Sequence, residues 1–157
     1  MTGYQDDSAW YRQIEFEIEN LKLTLDKKQA GKFQLDLLKR IAARADEYSQ
    51  TCSECESMKS QITELLREVP LLVQTPSKEA VKRYRQSVSG MTAHLKKSHG
   101  LVDAGTYMGV GIAIGAGLGA ALGAALANYA FSGIGVALGV AIGSALDAKA
   151  KKDGKVL

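Results

Sequence analysis

Apolar residues recur along the first hundred positions at helical spacing. Ile14, Ile18, Leu21 and Leu25 follow a 4-3-4 rhythm, which places them on one face of an amphipathic helix over residues 10–25. Ser8 stands where its N-cap belongs. A longer stripe starts near Phe33 and runs through Leu38, Ile41, Ala45, Tyr48, Cys52, Cys55, Ile62, Leu66 and Val69. Its three-four alternation, interrupted by the polar Lys59, is the pattern of a coiled-coil-like seam. The only prolines, Pro70 and Pro76, bracket an expected break over 69–77, because proline lacks a helix donor and restricts its predecessor. A third helix is expected from Ser77 to about Ser98, with Val81, Tyr84, Val88, Met91 and Leu95 on one stripe and Gly100 as C-cap. No strand pattern competes. The expected fold class is all-α, and residues 1–103 read as an antiparallel helical hairpin or bundle.

Beyond that point the pattern changes kind. Ala104 to Leu146 is a run of 43 residues without Asp, Glu, Lys or Arg, and eleven of the 16 glycines lie between Gly105 and Gly143. Gly111, Gly115, Gly119 and Gly123 recur every fourth residue, and Gly135, Gly139 and Gly143 repeat the spacing. Residues four apart lie on nearly one helical face, so each segment presents a groove bare of side chains. Such small-xxx-small faces let helix backbones approach closely in lipid. The run accommodates two membrane spans of about 20 residues each, placed near 106–127 and 132–147. The turn falls at Asn128–Ser132, where Asn128, Tyr129 and Phe131 offer polar and interfacial side chains, with Tyr107 at the opposite interface. Val, Ile and Leu within the run argue against a flexible linker. The spans are weakly hydrophobic and the second is short before Asp147. A buried soluble hairpin, or a segment inserting only on a trigger, therefore stands beside a constitutive transmembrane hairpin.

The net charge of +3 is too small to argue for nucleic acid, but its distribution is informative. Residues 1–77 carry −3, residues 78–103 carry +4 and residues 147–157 carry +2. Lys82, Arg83, Arg85, Lys96 and Lys97 before the run, and Lys151 and Lys152 after it, suit anionic headgroups, at about 1 kcal/mol per residue near the surface. Basic flanks and an uncharged turn place both termini in the cytoplasm of a multi-pass plasma-membrane protein, with 147–157 as a basic tail. The polar, acidic Met1 to Asp7 stretch argues against a secretory signal peptide. Two cysteines without an export signal suit the reducing cytosol.

Those cysteines, Cys52 and Cys55, and the two histidines, His94 and His99, form C-x2-C followed by H-x4-H, within the ligand spacings of a tetrahedral zinc site. An antiparallel hairpin turning near residue 75 sets Cys55 opposite His94 and Cys52 opposite His99. All four then reach one level of a helix pair. His94 and His99 stand about 140° apart on a regular helix, so His99 is expected beyond the helix end, where Gly100 permits a turn. A closed structural zinc site would staple this thin hairpin. Two other readings stay open: small seam residues with interfacial histidines, or a redox C-x-x-C, although the latter favours a strand–helix context and this pair reads as mid-helix. If residues 33–51 continued straight past the zinc level they would run about 28 Å toward the bilayer. Either Ser49–Thr51 breaks the helix or the hairpin lies tilted.

The Cys52/Cys55 pair, the stretch His94-Leu-Lys-Lys-Ser-His99-Gly-Leu-Val, the glycine period and the ending Asp147-Ala-Lys-Ala-Lys-Lys-Asp-Gly-Lys-Val-Leu157 together resemble small glycine-zipper membrane proteins of Gram-positive bacteria and their relatives, over about residues 50–157. The resemblance implies an architecture and carries no activity or substrate. Enzymatic signatures are missing from the sequence. There is no phosphate-binding G-x-x-x-x-G-K-[ST], no G-x-S-x-G, and no strand precedes Gly115-Ala-Gly-Leu-Gly119. The acid pairs Glu15/Glu19 and Glu54/Glu56 read as solvated. The expectation is a non-enzymatic membrane protein that self-associates through its glycine faces, as a scaffold or pore-like element, with a protein partner for the N-terminal helices as a further option. The alternatives are a membrane-tethered zinc or redox sensor and a conditionally inserting toxin-like effector.

Overall fold

The computed structural model describes residues 8–128 and 130–157, and among these it is helical, without a strand. The N-terminal Met1–Asp7, on which the signal-peptide reading rests, and Tyr129 of the expected turn lie outside the described residues. Two compact units divide the chain, Met1–His99 and Gly100–Leu157.

The first unit begins with α1 (Ala9–Thr24), where the Ser8 hydroxyl accepts from Tyr11 N as expected of the N-cap. A short α2 (Lys27–Lys32) follows, started by a capping box in which the Asp26 side chain accepts from Gln29 N and Gln29 reaches back to Asp26 N. The sequence reading left this segment unassigned. The long seam then divides into α3 (Leu35–Tyr48) and α4 (Ser53–Gln74). Ser49 and Thr51 hydroxyls take the Asp46 and Tyr48 carbonyls, offering the backbone an alternative to helix continuation. Of the two ways to avoid a straight rod, the break is the one the fold uses.

The α4 helix also runs through Pro70, so the expected break over 69–77 shrinks to Thr75–Ser77 ahead of α5 (Lys78–His99). Proline inside a helix costs about 3 kcal/mol, yet Leu65, Leu66, Val69 and Leu72 are buried around it. Each contributes about 1.5–3 kcal/mol, and the ring itself faces solvent, so burial wins. The core joins Ile14 and Ile18 of α1, Leu38, Ile41 and Ala45 of α3, Ile62 and Val69 of α4, and Tyr84, Val88, Met91 and Leu95 of α5. The α3 helix packs against α1, α4 and α5. Near its start, the buried Tyr84 hydroxyl donates to the Phe33 carbonyl at 2.9 Å, and the two rings meet edge to face.

The second unit is a helical hairpin of α6 (Thr106–Ala125) and α7 (Ala130–Lys152). Both helices are long and apolar enough to cross a membrane. The turn comes earlier than expected from the sequence, at Leu126–Asn128, and α7 continues well past Asp147. A continuing helix needs no charge-free stretch, and Asp147 is occupied: its carboxylate accepts from Tyr107 N and Met108 N at 3.1 and 2.9 Å, capping α6 from across the hairpin. After α7 the chain pairs back on itself, with Val102 N donating to Lys155 O and Leu157 N to Val102 O.

Candidate metal centre

The break between α3 and α4 builds the first half of the site. Cys52 is the extended N-cap residue of α4, and Cys55 lies in its first turn. The sequence reading of a mid-helix C-x-x-C is therefore corrected: the pair straddles a helix start. There the Cys55 backbone N–H draws the Cys52 thiol below its ordinary range, as helix N-termini do for thiolates. Burial pushes Cys55 the other way, up to about 12.

The α5 helix supplies the second half. The tight connection at Thr75–Ser77 returns α5 antiparallel to α4, which brings His94 and His99 to the level of the cysteines as the hairpin register predicts. His99 does not lie beyond the helix; it is the last residue of α5, ahead of Gly100 at φ +66°. Its ring stacks on Tyr48 at 4.1 Å between centroids and 6° between planes, and it meets His94 at 67°. The angular spread of the two histidines is what lets them approach the thiols from different sides.

The ligand atoms of Cys52, Cys55, His94 and His99 all lie within 4.8 Å of one another, close enough to hold a metal ion. Cys52 Sγ is 3.4 Å and Cys55 Sγ 3.6 Å from His94 Nε2, while Cys55 Sγ is 3.2 Å from His99 Nε2. Both imidazoles thus turn the same nitrogen to the sulfurs. The far nitrogen of His94, Nδ1, lies 2.9 Å from Glu54 Oε2. Glu54 is exposed, as the reading of a solvated acid expects, and the histidine contact is what that reading did not include. The position of Glu54 inside C-x-x-C was the available signal, because the first turn of a helix carries it alongside both thiols.

No protein-family model, curated protein or solved structure matches the chain.

The remaining candidate residues fall into two groups. Gly111, Gly115, Gly135 and Gly139 meet across the α6–α7 seam: a Cβ at Gly115 would fall on the Gly135 carbonyl oxygen, and one at Gly111 on that of Gly139. Gly119 faces Phe131 and Ser132, Gly143 faces Tyr107 and Met108, and Gly123 is buried. Of the basic candidates, Lys82, Arg83, Arg85, Lys97, Lys151 and Lys152 are exposed and Lys96 is half-buried.

Proposed function

We propose that this chain is a non-enzymatic membrane protein whose N-terminal helical bundle is pinned by a structural zinc ion held by Cys52, Cys55, His94 and His99. One observation carries the reading, the set of sulfur–nitrogen separations of 3.2, 3.4 and 3.6 Å. Zinc bonds of about 2.3 Å to sulfur and 2.0–2.1 Å to nitrogen, opened to a tetrahedral angle, put sulfur and nitrogen about 3.5 Å apart. Those three sulfur–nitrogen pairs lie near the separation such a site requires. Two thiolates and two imidazoles also match zinc in softness, and four protein ligands leave no open position for water.

Membrane anchoring through α6 and α7 is supported by their exposure. Only 17% and 11% of their apolar windows are buried, whereas a soluble core hairpin would cover them. Exposed bases on α5 and at the end of α7 suit anionic headgroups, with both termini cytoplasmic. Since the Gly111–Gly139 and Gly115–Gly135 contacts spend one small-residue face of each helix inside the hairpin, self-association would use the opposite face. There Gly109, Ala113, Gly117 and Ala121 of α6 remain exposed.

Metal analysis of the purified full-length chain tests the centre. The expected result is one zinc per chain, lost in Cys52→Ser and His94→Ala. A wild type that takes up no zinc on reconstitution would refute it. A second reading, a redox sensor, is favoured by the placement of Cys52 at a helix N-terminus beside a buried Cys55.

A further inference from the structure

The four donors do not exhaust the polar contacts of the centre. Glu54 Oε2 reaches His94 Nδ1 at 2.9 Å, on the opposite side of the ring from Nε2, which faces both sulfurs. The Ser98 hydroxyl lies 3.4 Å from the same Nδ1. An imidazole that gives its Nδ1 proton to a carboxylate keeps the Nε2 lone pair for a metal, and the hydrogen bond fixes the ring plane and raises ligand basicity. The other glutamate of this turn does something else: Glu56 pairs with Lys59 at 3.6 Å. Both acids lie in the first turn of α4, so they share the same favourable relation to the helix N-terminus and differ in whether they touch a ligand.

We propose that Glu54 is a positioning residue of the metal centre, holding His94 in the Nδ1–H tautomer with Nε2 directed at the ion; this rests on the metal reading above. The C-x-x-C turn then delivers three groups, two thiolates to the metal and one carboxylate to a histidine arriving from α5. With its side chain 63% exposed, Glu54 adds little to the core, so its effect concentrates in metal affinity.

The test uses the full-length chain in detergent micelles, competing for Zn(II) with a chromophoric chelator, with the Co(II) absorption bands reporting ligand geometry. Glu54→Ala is expected to weaken zinc binding about 10–100-fold and to broaden or shift the cobalt bands. Glu54→Gln keeps an acceptor oxygen without the charge and should fall between. Glu56→Ala should bind as the wild type does, and the metal-free forms of Glu54→Ala and Glu56→Ala should melt alike. Unchanged or tighter binding in Glu54→Ala, or an equal loss in Glu56→Ala, would overturn the role of Glu54 and leave the centre standing. Failure of the wild type to take up either zinc or cobalt would overturn the centre itself.

Discussion

Two glycines two residues apart on α6 should respond oppositely to the same methyl group. At Gly117 an added Cβ meets nothing within 4 Å, while at Gly115 it falls on the Gly135 carbonyl oxygen, with Gly135 C at 3.0 Å and Gly139 Cα at 3.2 Å. Those neighbours are backbone, so no rotamer change relieves the clash and the helices must separate. Replacing glycine by alanine within a helix gains about 0.8–1 kcal/mol of intrinsic propensity at either site. Overpacking a close contact costs about 1–3 kcal/mol. The propensity gain cancels between the two variants, so Gly115→Ala should leave the hairpin about 1–3 kcal/mol less stable than Gly117→Ala. That is roughly a 5- to 150-fold difference in the closed-to-open ratio. Energy transfer between fluorophores on Thr106→Cys and Ala145→Cys, in a Cys52→Ser/Cys55→Ser background, would follow opening as sodium dodecyl sulfate is titrated into the micelles. Gly139→Ala against Gly133→Ala repeats the comparison on α7, since Gly133 is also open and Gly139 meets Gly111. If the seam variants prove as stable as the open-face variants, the close backbone approach is wrong.

The remaining predictions concern single contacts. Tyr84→Phe removes the donor to a buried Phe33 carbonyl and should cost about 1–3 kcal/mol in denaturant unfolding; a neutral result would mean the carbonyl finds another partner. Burial, then the charge of Glu68, holds the Tyr84 phenol above its ordinary 10.0. The unfolded chain therefore loses this proton first, and stability present below pH 10 should decline as pH rises above it, less steeply in Tyr84→Phe. A peroxide should oxidise the Cys52 and Cys55 thiols to one disulfide, giving two waters per peroxide. Metal-loaded protein should react more slowly than metal-free protein by mass spectrometry, and equal rates would remove the thiols from the metal. Asp147→Ala strips the cap from Tyr107 N and Met108 N and should cost about 1 kcal/mol, seen as faster hydrogen exchange at those two amides; unchanged exchange would show that the carboxylate does not protect them.

Most of the helical unit was legible because periodicity and register depend on local spacing. Ser8, the stripe from Tyr84 to Leu95 and the antiparallel match of Cys55 with His94 all follow from residue positions alone. Other features depend on tertiary competition. Pro70 stays helical because buried leucines and Val69 surround it. Gln34 adopts a left-handed φ of 51° ahead of α3, with nothing in its sequence neighbourhood to demand it. The break after Tyr48 is an intermediate case. Ser49 and Thr51 were visible as helix competitors, but an unbroken helix in a tilted hairpin satisfied the same pattern. The Glu54–His94 contact was not legible because the histidine opposite that exposed carboxylate is placed only when α5 packs back against α4.

The hairpin shows why a glycine period predicts close packing better than it predicts register. In the observed alignment Gly111 faces Gly139 and Gly115 faces Gly135. Gly115 sits between Gly135 and Gly139 of the other helix, and a slip of one turn would set Gly115 between Gly139 and Gly143 and Gly119 between Gly135 and Gly139, again matching small faces. It would also move the turn later, toward the position that the polar residues near Asn128 suggest. Glycines carry no side chain with which to prefer one alignment. Asp147 does carry one, and in the observed register its carboxylate meets the two amides at the open start of α6. Gly105, the N-cap residue, offers no side chain there, so those N–H groups have no local acceptor. A one-turn slip carries the carboxylate about 6 Å along α6, past the free donors and alongside amides already bonded within the helix. The first charged residue after the 43-residue run therefore favours the observed alignment over a slipped one, a contact that an aspartate can make with these N–H donors and a lysine cannot.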